Sequence, residues 1–111
     1  MDSIEKYRTI IEKVLTEYAQ IPYSYGDLEN RVAFDRERDQ YVLLCVGWNK
    51  DRNEHGVVAH LEIINGKIWI QEDNTEDGIA TDLEAAGIAK NEIVLGFRHP
   101  KLRPYTEYAV T

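Results

Sequence analysis

The sequence predicts an α+β fold: an N-terminal helix packed on a four-stranded antiparallel meander sheet, then a second short helix and a C-terminal extended segment. Two observations lead to this prediction. An amphipathic stretch opens the chain, and an Asn65-Gly66 pair joins two β-like runs further on. The chain has 111 residues, 43% of them hydrophobic, which is enough for one core. We therefore interpret residues 1–111 as a single domain.

The first helix is expected over residues 2–19. Asp2 and Glu5 have the spacing of a capping box. Apolar side chains recur at helical spacing along one face: Ile4, Tyr7, Ile10, Ile11, Val14, Leu15 and Tyr18. A stripe of this kind more often covers a sheet than binds a partner, so we expect it to cover the sheet.

Four strands are expected at residues 31–36, 41–48, 57–64 and 67–72. The second run, YVLLCVGW, is nearly all apolar, which is typical of a strand buried on both faces. We therefore place it centrally and expect Cys45 to be a buried, unreactive thiol. The polar residues 49–56 are expected to form a loop.

The Asn65-Gly66 pair favours a two-residue type I′ turn, which fixes the register of the hairpin. Ile64 should then lie opposite Lys67, and the pairing should continue to His60 opposite Gln71. One face of this hairpin is entirely apolar and is expected in the core: Val57, Ala59, Leu61, Ile63, Ile68 and Ile70. The other face is mixed, with Trp69 among charged residues.

After the hairpin, residues 76–86 are expected to form a helix capped by Thr75 or Asp77. Residues 93–97 should form a strand or an extended arm, and the tail from residue 99 to 111 an extended segment that wraps the domain. A bare sheet edge at 31–36 or 67–72 would allow a second copy to pair, giving a homodimer.

Charge and composition bound the function. The net charge of −7, from 13 basic and 20 acidic residues, suits a basic protein partner better than a phosphate backbone. No apolar run approaches the roughly 20 residues of a membrane span, and the N-terminus lacks signal-peptide features. A single cysteine excludes an internal disulfide. We therefore expect a cytoplasmic protein without membrane contact.

We find no catalytic set in the sequence. The three histidines lack metal-ligand spacing, no nucleophile motif is present, and the glycines never cluster as in phosphate loops. No metal or cofactor is therefore expected. Asp73, Glu76 and Asp77 would allow a metal-dependent nuclease, but capping of the following helix is the preferred interpretation.

Several short motifs follow one another along the chain: Gly47-Trp48 with Arg52 and His55, then GKIWIQ at 66–71, Thr75-Glu76, Gly78-Ile79-Ala80, IVLGF at 93–97, and Arg103 with Thr106. In this order and spacing they resemble the XisI family, the fdxN-element excision controlling factor proteins of cyanobacteria. Asn74 and Ala89 depart from the family pattern, in turns. The resemblance implies an accessory role in site-specific DNA excision, beside a recombinase and a XisH-type protein similar to restriction endonucleases. It supplies no catalytic residues.

Hairpin geometry and motif membership together give a predicted partner-binding set: Trp48, Arg52, Glu62, Trp69, Gln71 and Glu76. The expected partner is a XisH-type protein, with DNA contacted only indirectly or weakly. The alternative is an excision factor that contacts DNA directly through Lys50, Arg52, Arg98, Lys101 and Arg103, although nearby acidic residues dilute both basic clusters.

Overall fold

A helix, a five-stranded sheet and a second short helix make up the fold, as the computed structural model shows for residues 3–24 and 26–111. The helices are α1 (Ser3–Ala19) and α2 (Ile79–Ala85). The strands are β1 (Asp27–Asp35), β2 (Gln40–Asn49), β3 (Arg52–Ile64), β4 (Lys67–Asp73) and β5 (Ile93–Leu95). Short 3-10 helices span Lys90–Glu92 and Arg103–Tyr105. The α+β class is confirmed.

The sheet has the order β1-β2-β3-β4-β5, and β5 runs parallel to β4. The first four strands form the predicted antiparallel meander. The prediction of a four-stranded sheet was wrong, because the sheet has five strands. The segment expected as a strand or an arm supplies the fifth. Its parallel direction follows from α2, which returns the chain to the starting end of β4.

The core lies between the two helices and one face of the sheet. From α1 it receives Tyr7, Ile11, Val14 and Leu15, as the apolar stripe predicted. The sheet and α2 contribute Tyr41, Leu43, Ala59, Leu61, Ile68, Ile70, Ile79, Ala80 and Leu83. The proposed capping residue Asp2 lies outside the described residues.

The turn that joins β3 to β4 is the predicted one, with positive φ at Asn65 (49°) and Gly66 (78°). Register is confirmed from Ile64 opposite Lys67 to Leu61 opposite Ile70. Beyond Leu61 the prediction was wrong, because a β-bulge places His60 opposite Glu72 and leaves Gln71 as the extra residue.

A second irregularity lies where β3 pairs with β2. Leu43 faces Ala59 but Leu44 faces Val57, so Val58 is the extra residue on β3. The alternation of side chains therefore changes at this point, and Val57 is exposed instead of buried in the core. The predicted core position of Val57 was wrong for this reason.

Strand β2 is not buried on both faces, contrary to the prediction. Tyr41 and Leu43 are buried under α1, whereas Leu44 and Val46 on the other face are only partly covered. Neither α1 nor α2 packs on that face, and β3 is the central strand. Cys45 is accordingly half-buried.

Two strands extend further than predicted, and α2 begins later. Residues 52–56 belong to β3 rather than to a loop, and β1 begins at Asp27. Helix α2 begins at Ile79. Its N-cap residue, Gly78, has no side chain that could accept a capping hydrogen bond. Within the described residues, no helix is long and apolar enough to span a membrane.

Candidate functional site

The sheet face opposite the two helices, here called the open face, carries the candidate site. Strand alternation sends to this face the side chains that do not enter the core. On β2 and β3 it presents Val42, Leu44, Val46, Trp48, Val57, His60 and Glu62. On β4 it presents Trp69 and Glu72. Neither α1 nor α2 lies on this face, so much of it is available for contacts outside the domain.

A hydrogen-bonded group of four side chains, here called the polar cluster, crosses the open face from β2 to β4. It consists of Gln40, His60, Glu62 and Gln71. Gln40 Nε2 donates to Glu62 Oε1, and Gln71 Nε2 donates to Glu62 Oε2 at 2.7 Å. His60 Nε2 lies 2.8 Å from Gln40 Oε1, which makes the ring nitrogen the donor.

The polar cluster holds the Glu62 carboxylate in one orientation. Each of its oxygens accepts one amide N–H and retains further acceptor capacity for an incoming cation. Strand alternation places Gln71 on the same face as Trp69, and the bulge leaves it as the extra residue between the partners of Leu61 and His60, with its amide bonded to Glu62. The arrangement provides a fixed anionic acceptor.

Trp69 lies beside the polar cluster, opposite Glu62, and contacts the tail. The Arg103 guanidinium stacks over its ring at 5.1 Å from the ring centroid. Arg103 is held there by donation from Nε to the Arg98 carbonyl oxygen (3.1 Å) and from Nη2 to that of Gly96 (3.3 Å). Arg103, predicted as a DNA contact, is therefore a structural partner of Trp69.

Trp48 and Arg52 lie far from Trp69. Trp48 is 54% exposed and faces Asn53, at the opposite end of β2 from Gln40. Trp48 is eight positions from Gln40 along β2, a distance of about 26 Å along the sheet. The Arg52 side chain is 81% exposed, with Nε 3.7 Å from Glu54 Oε1. The structure thus divides the predicted partner-binding set.

The acidic residues after β4 bind the backbone of the connection to α2. Asp73 accepts hydrogen bonds from the Thr75 backbone N–H (3.0 Å) and from that of Ile79 (2.7 Å). Glu76 and Asp77 are exposed. Asp73 is therefore the cap that was assigned to Thr75 or Asp77, and Glu76 lies apart from the polar cluster. Within residues 3–24 and 26–111, no three His, Cys, Asp or Glu side chains are placed to hold a metal ion.

The basic residues of the DNA-contacting alternative lie on separate elements. Lys50 and Arg52 belong to the turn between β2 and β3 and the start of β3. Arg98, Lys101 and Arg103 follow β5. Arg98 stacks on Phe97, at 5.2 Å from the ring centroid, while Arg103 is engaged by Trp69. These contacts do not assemble one basic surface.

A groove of about 560 Å³ lies between α1 and α2. Its walls are mainly apolar, and Asp82 and Glu17 line it together with Lys13. Asp82 Oδ2 is buried without a hydrogen-bond partner among the described residues. Burial, and then the charges of Asp77, Asp73 and Glu17, raise the pKa of the Asp82 carboxyl.

Sequence reasoning missed Gln40 and Arg103 as parts of this site. The predicted strands at 31–36 and 41–48 leave Gln40 outside the sheet, although it is the first residue of β2 and lies opposite Glu62. No local signal connects Arg103 to Trp69, because the two residues meet only through the fold of the tail. The mixed face of the predicted hairpin forms part of the open face, where His60, Glu62 and Trp69 lie.

Comparison with known proteins gives the family. The family model described as XisI protein matches residues 1–110. The chain belongs to the XisI family. A search of curated proteins found no match.

Two solved XisI structures share the fold over nearly the full length of this chain. A XisI-like protein from Anabaena variabilis ATCC 29413 is 36% identical, with a TM-score of 0.89, covering 97% of this chain and 99% of its own. The fdxN element excision controlling factor XisI from Anabaena variabilis ATCC 29413 is 37% identical, with a TM-score of 0.84, covering 99% of this chain and all of its own (100%). The XisI fold of these relatives extends to this chain.

Proposed function

We propose that this XisI-family protein is a non-catalytic accessory protein that controls site-specific DNA excision by binding a protein partner. The role in excision control is supported by the relative named as an fdxN element excision controlling factor, which is 37% identical over 99% of the chain. The proposed partner is a XisH-type nuclease-like protein, and the proposed contact surface is the part of the open face around Trp69.

The observation that carries the proposal is the position of Trp69 beside the polar cluster, on a face that neither α1 nor α2 covers. A partly exposed tryptophan next to a fixed carboxylate supplies both an apolar anchor and an acceptor for a partner Arg or Lys. Because Glu62 is already ordered in the free protein, its side chain loses less conformational entropy when a partner binds.

Charge favours a basic partner for the same surface. The chain carries a net charge of −7, which would speed association with a DNA-binding protein through long-range attraction. Binding would then position or cover the basic surface of the nuclease-like partner. The association rate should fall as salt screens these charges.

The test is co-expression with the XisH-type protein of the same genome, followed by size-exclusion chromatography at low and moderate salt. We expect one complex whose affinity falls with salt. Trp69→Ala should weaken it about 30-fold, as for a hot-spot aromatic. Trp48→Ala, at the far end of β2, is the matched control and should bind as tightly as wild type.

Two outcomes would contradict the proposal. If a folded Trp69→Ala variant bound the XisH-type protein as tightly as wild type, the surface around Trp69 would not be the contact. If the purified chain cleaved DNA in the presence of magnesium or manganese, a non-catalytic role would be excluded.

A further inference from the structure

The two edges of the sheet differ in whether another segment of the described chain lies along them. At the β5 edge, the tail lies alongside the strand, and the Ala109 backbone N–H donates to the Ile93 carbonyl oxygen at 2.9 Å. Tyr108 fastens the tail to α2 by donating its hydroxyl to Glu84 Oε2 at 2.7 Å. At the other edge, β1 pairs with β2 on one side, and no described strand pairs with its outer side.

Strand β1 also lacks the usual devices that prevent edge pairing. It forms nine consecutive residue pairs with β2 without a bulge, whereas the pairings of β2 with β3 and of β3 with β4 each contain one. Its sequence, DLENRVAFD, contains no proline. Edges are normally protected by bulges, proline or charge. Of these three devices, β1 has only its charged side chains. Their arrangement along the strand therefore decides what can pair with this edge.

The charges on β1 are complementary to a second copy of the same strand. In an antiparallel pair with Asn30 opposite Asn30, Glu29 of each strand lies opposite Arg31 of the other. The two residues share a face of the sheet and already form an exposed ion pair within one chain. Two such pairs would form an alternating four-charge group across the two-fold axis, which favours this register.

The apolar residues agree with the same register. Leu28 of one copy would lie opposite Val32 of the other, on the face that carries the helices. Val32 is 37% exposed although it lies on that face, next to the bare edge. A second strand would cover this side chain.

Neighbouring registers are less favourable. With Arg31 opposite Arg31, Asp27 would also lie opposite Asp35, so that every charged pair would repel. A pairing centred on Ala33 would place Arg31 opposite Asp35 but would include only residues 31–35. Asp35 is already engaged there, because it accepts hydrogen bonds from the backbone of Glu37 (3.0 Å) and Arg38 (3.1 Å).

We propose that two copies of this chain form a homodimer by antiparallel pairing of β1, with the two-fold axis at Asn30. The two five-stranded sheets then join into one sheet of ten strands. Both open faces lie on the same side of this sheet, and the two copies of Trp69 are carried toward its ends, away from the axis. The dimer does not depend on the proposed function.

Charge exchange between positions 29 and 31 tests the proposal. Sedimentation or light scattering of the wild-type chain should give twice the monomer mass of 12.9 kDa, with dissociation on dilution. Glu29→Arg and Arg31→Glu should each weaken the dimer by about tenfold or more, because each places like charges opposite one another. The double variant should regain most of the wild-type affinity, since opposite charges face each other again.

The control variant is Glu37→Arg, which reverses an exposed charge in the turn just beyond β1 and should leave the dimer unchanged. Circular dichroism should show the same fold for all variants. A wild-type chain that stays monomeric at its highest soluble concentration would overturn the proposal. So would a dimer that neither single variant weakens, because it would use another surface.

Discussion

The guanidinium of Arg8 on α1 donates to both oxygens of Asp39 in the turn between β1 and β2, with Nε 2.7 Å from Oδ1 and Nη2 3.2 Å from Oδ2. The buried Tyr41 hydroxyl donates to the same Oδ1 at 3.0 Å. These bonds join the helix to the sheet at the margin of the core. They hold the pKa of the Asp39 carboxyl below its usual range, the Arg8 hydrogen bond being the largest cause.

The lowered pKa of Asp39 predicts a specific dependence of stability on pH. A carboxyl with a depressed folded-state pKa adds stability above its unfolded pKa of about 4, and that stability is lost as pH falls further. We expect Asp39→Asn to cost about 1–2 kcal/mol in the free energy of unfolding at pH 7. The cost should shrink below about pH 4, as urea titrations at several pH values can measure. Asp51→Asn, in an exposed turn, is the control; an equal cost of Asp39→Asn at pH 7 and at pH 3 would contradict the prediction.

Gly47 is predicted to tolerate no side chain. Its φ is 141°, and a Cβ atom would lie 2.0 Å from the Asp27 carbonyl oxygen on the paired strand. Gly47→Ala should therefore destabilise the protein by roughly 2–4 kcal/mol and disturb the start of β1. Gly56→Ala is the matched variant, because its Cβ would meet no atom within 4 Å. Chemical denaturation should place Gly56→Ala within about 0.5 kcal/mol of wild type; similar losses for both variants would refute the role of the close approach.

The contact between Arg103 and Trp69 should be visible in fluorescence. In a Trp48→Phe background, Trp69 is the remaining tryptophan. Arg103→Ala should increase quenching of its emission by iodide and shift that emission to longer wavelength, because the guanidinium no longer covers the ring. Lys101→Ala, on the exposed part of the tail, should leave the emission unchanged. Unaltered quenching in Arg103→Ala would show that the tail does not cover Trp69 in solution.

Leu61 is predicted to be among the most sensitive core positions. Its side chain is 0% exposed and extends from the central strand β3 into the core between the sheet and the two helices. Leu61→Ala should lower the free energy of unfolding by about 3 kcal/mol, since it removes buried apolar contacts and leaves a cavity. Leu102→Ala, at a residue 53% exposed, should change it by no more than about 0.5 kcal/mol. Thermal or urea unfolding of the two variants measures the difference, and equal effects would contradict the assigned core.

The parts of the fold that could be predicted are those with a local physical signal. The apolar stripe of α1 and the Asn65-Gly66 turn each fix their structure within a few residues, and both predictions were confirmed. The bulge at Gln71 has no such signal, because an extra residue in one strand is decided by its packing against a partner. Register prediction therefore failed just beyond Leu61.

Polar strand segments were missed for a related reason. Residues 27–30 and 52–56 lack apolar alternation, yet both belong to strands because β2 pairs with them from either side. Pairing across the sheet outweighs weak local preference there. The candidate site was found only in part, since the hairpin pattern located Glu62 and Trp69 but could not show that Trp48 lies at the other end of the sheet.

The parallel pairing of β4 with β5 has a consequence for the order of folding. In the described part of the chain, the other strand pairs join neighbours in sequence through short turns, which close quickly. Strand β5 must instead wait for the whole connection from Asn74 to Glu92 to be placed. Helix α1 and the first four strands should therefore assemble in a fast kinetic phase. Docking of β5 and the tail should follow as a slower one, during which the edge of β4 is briefly open to aggregation.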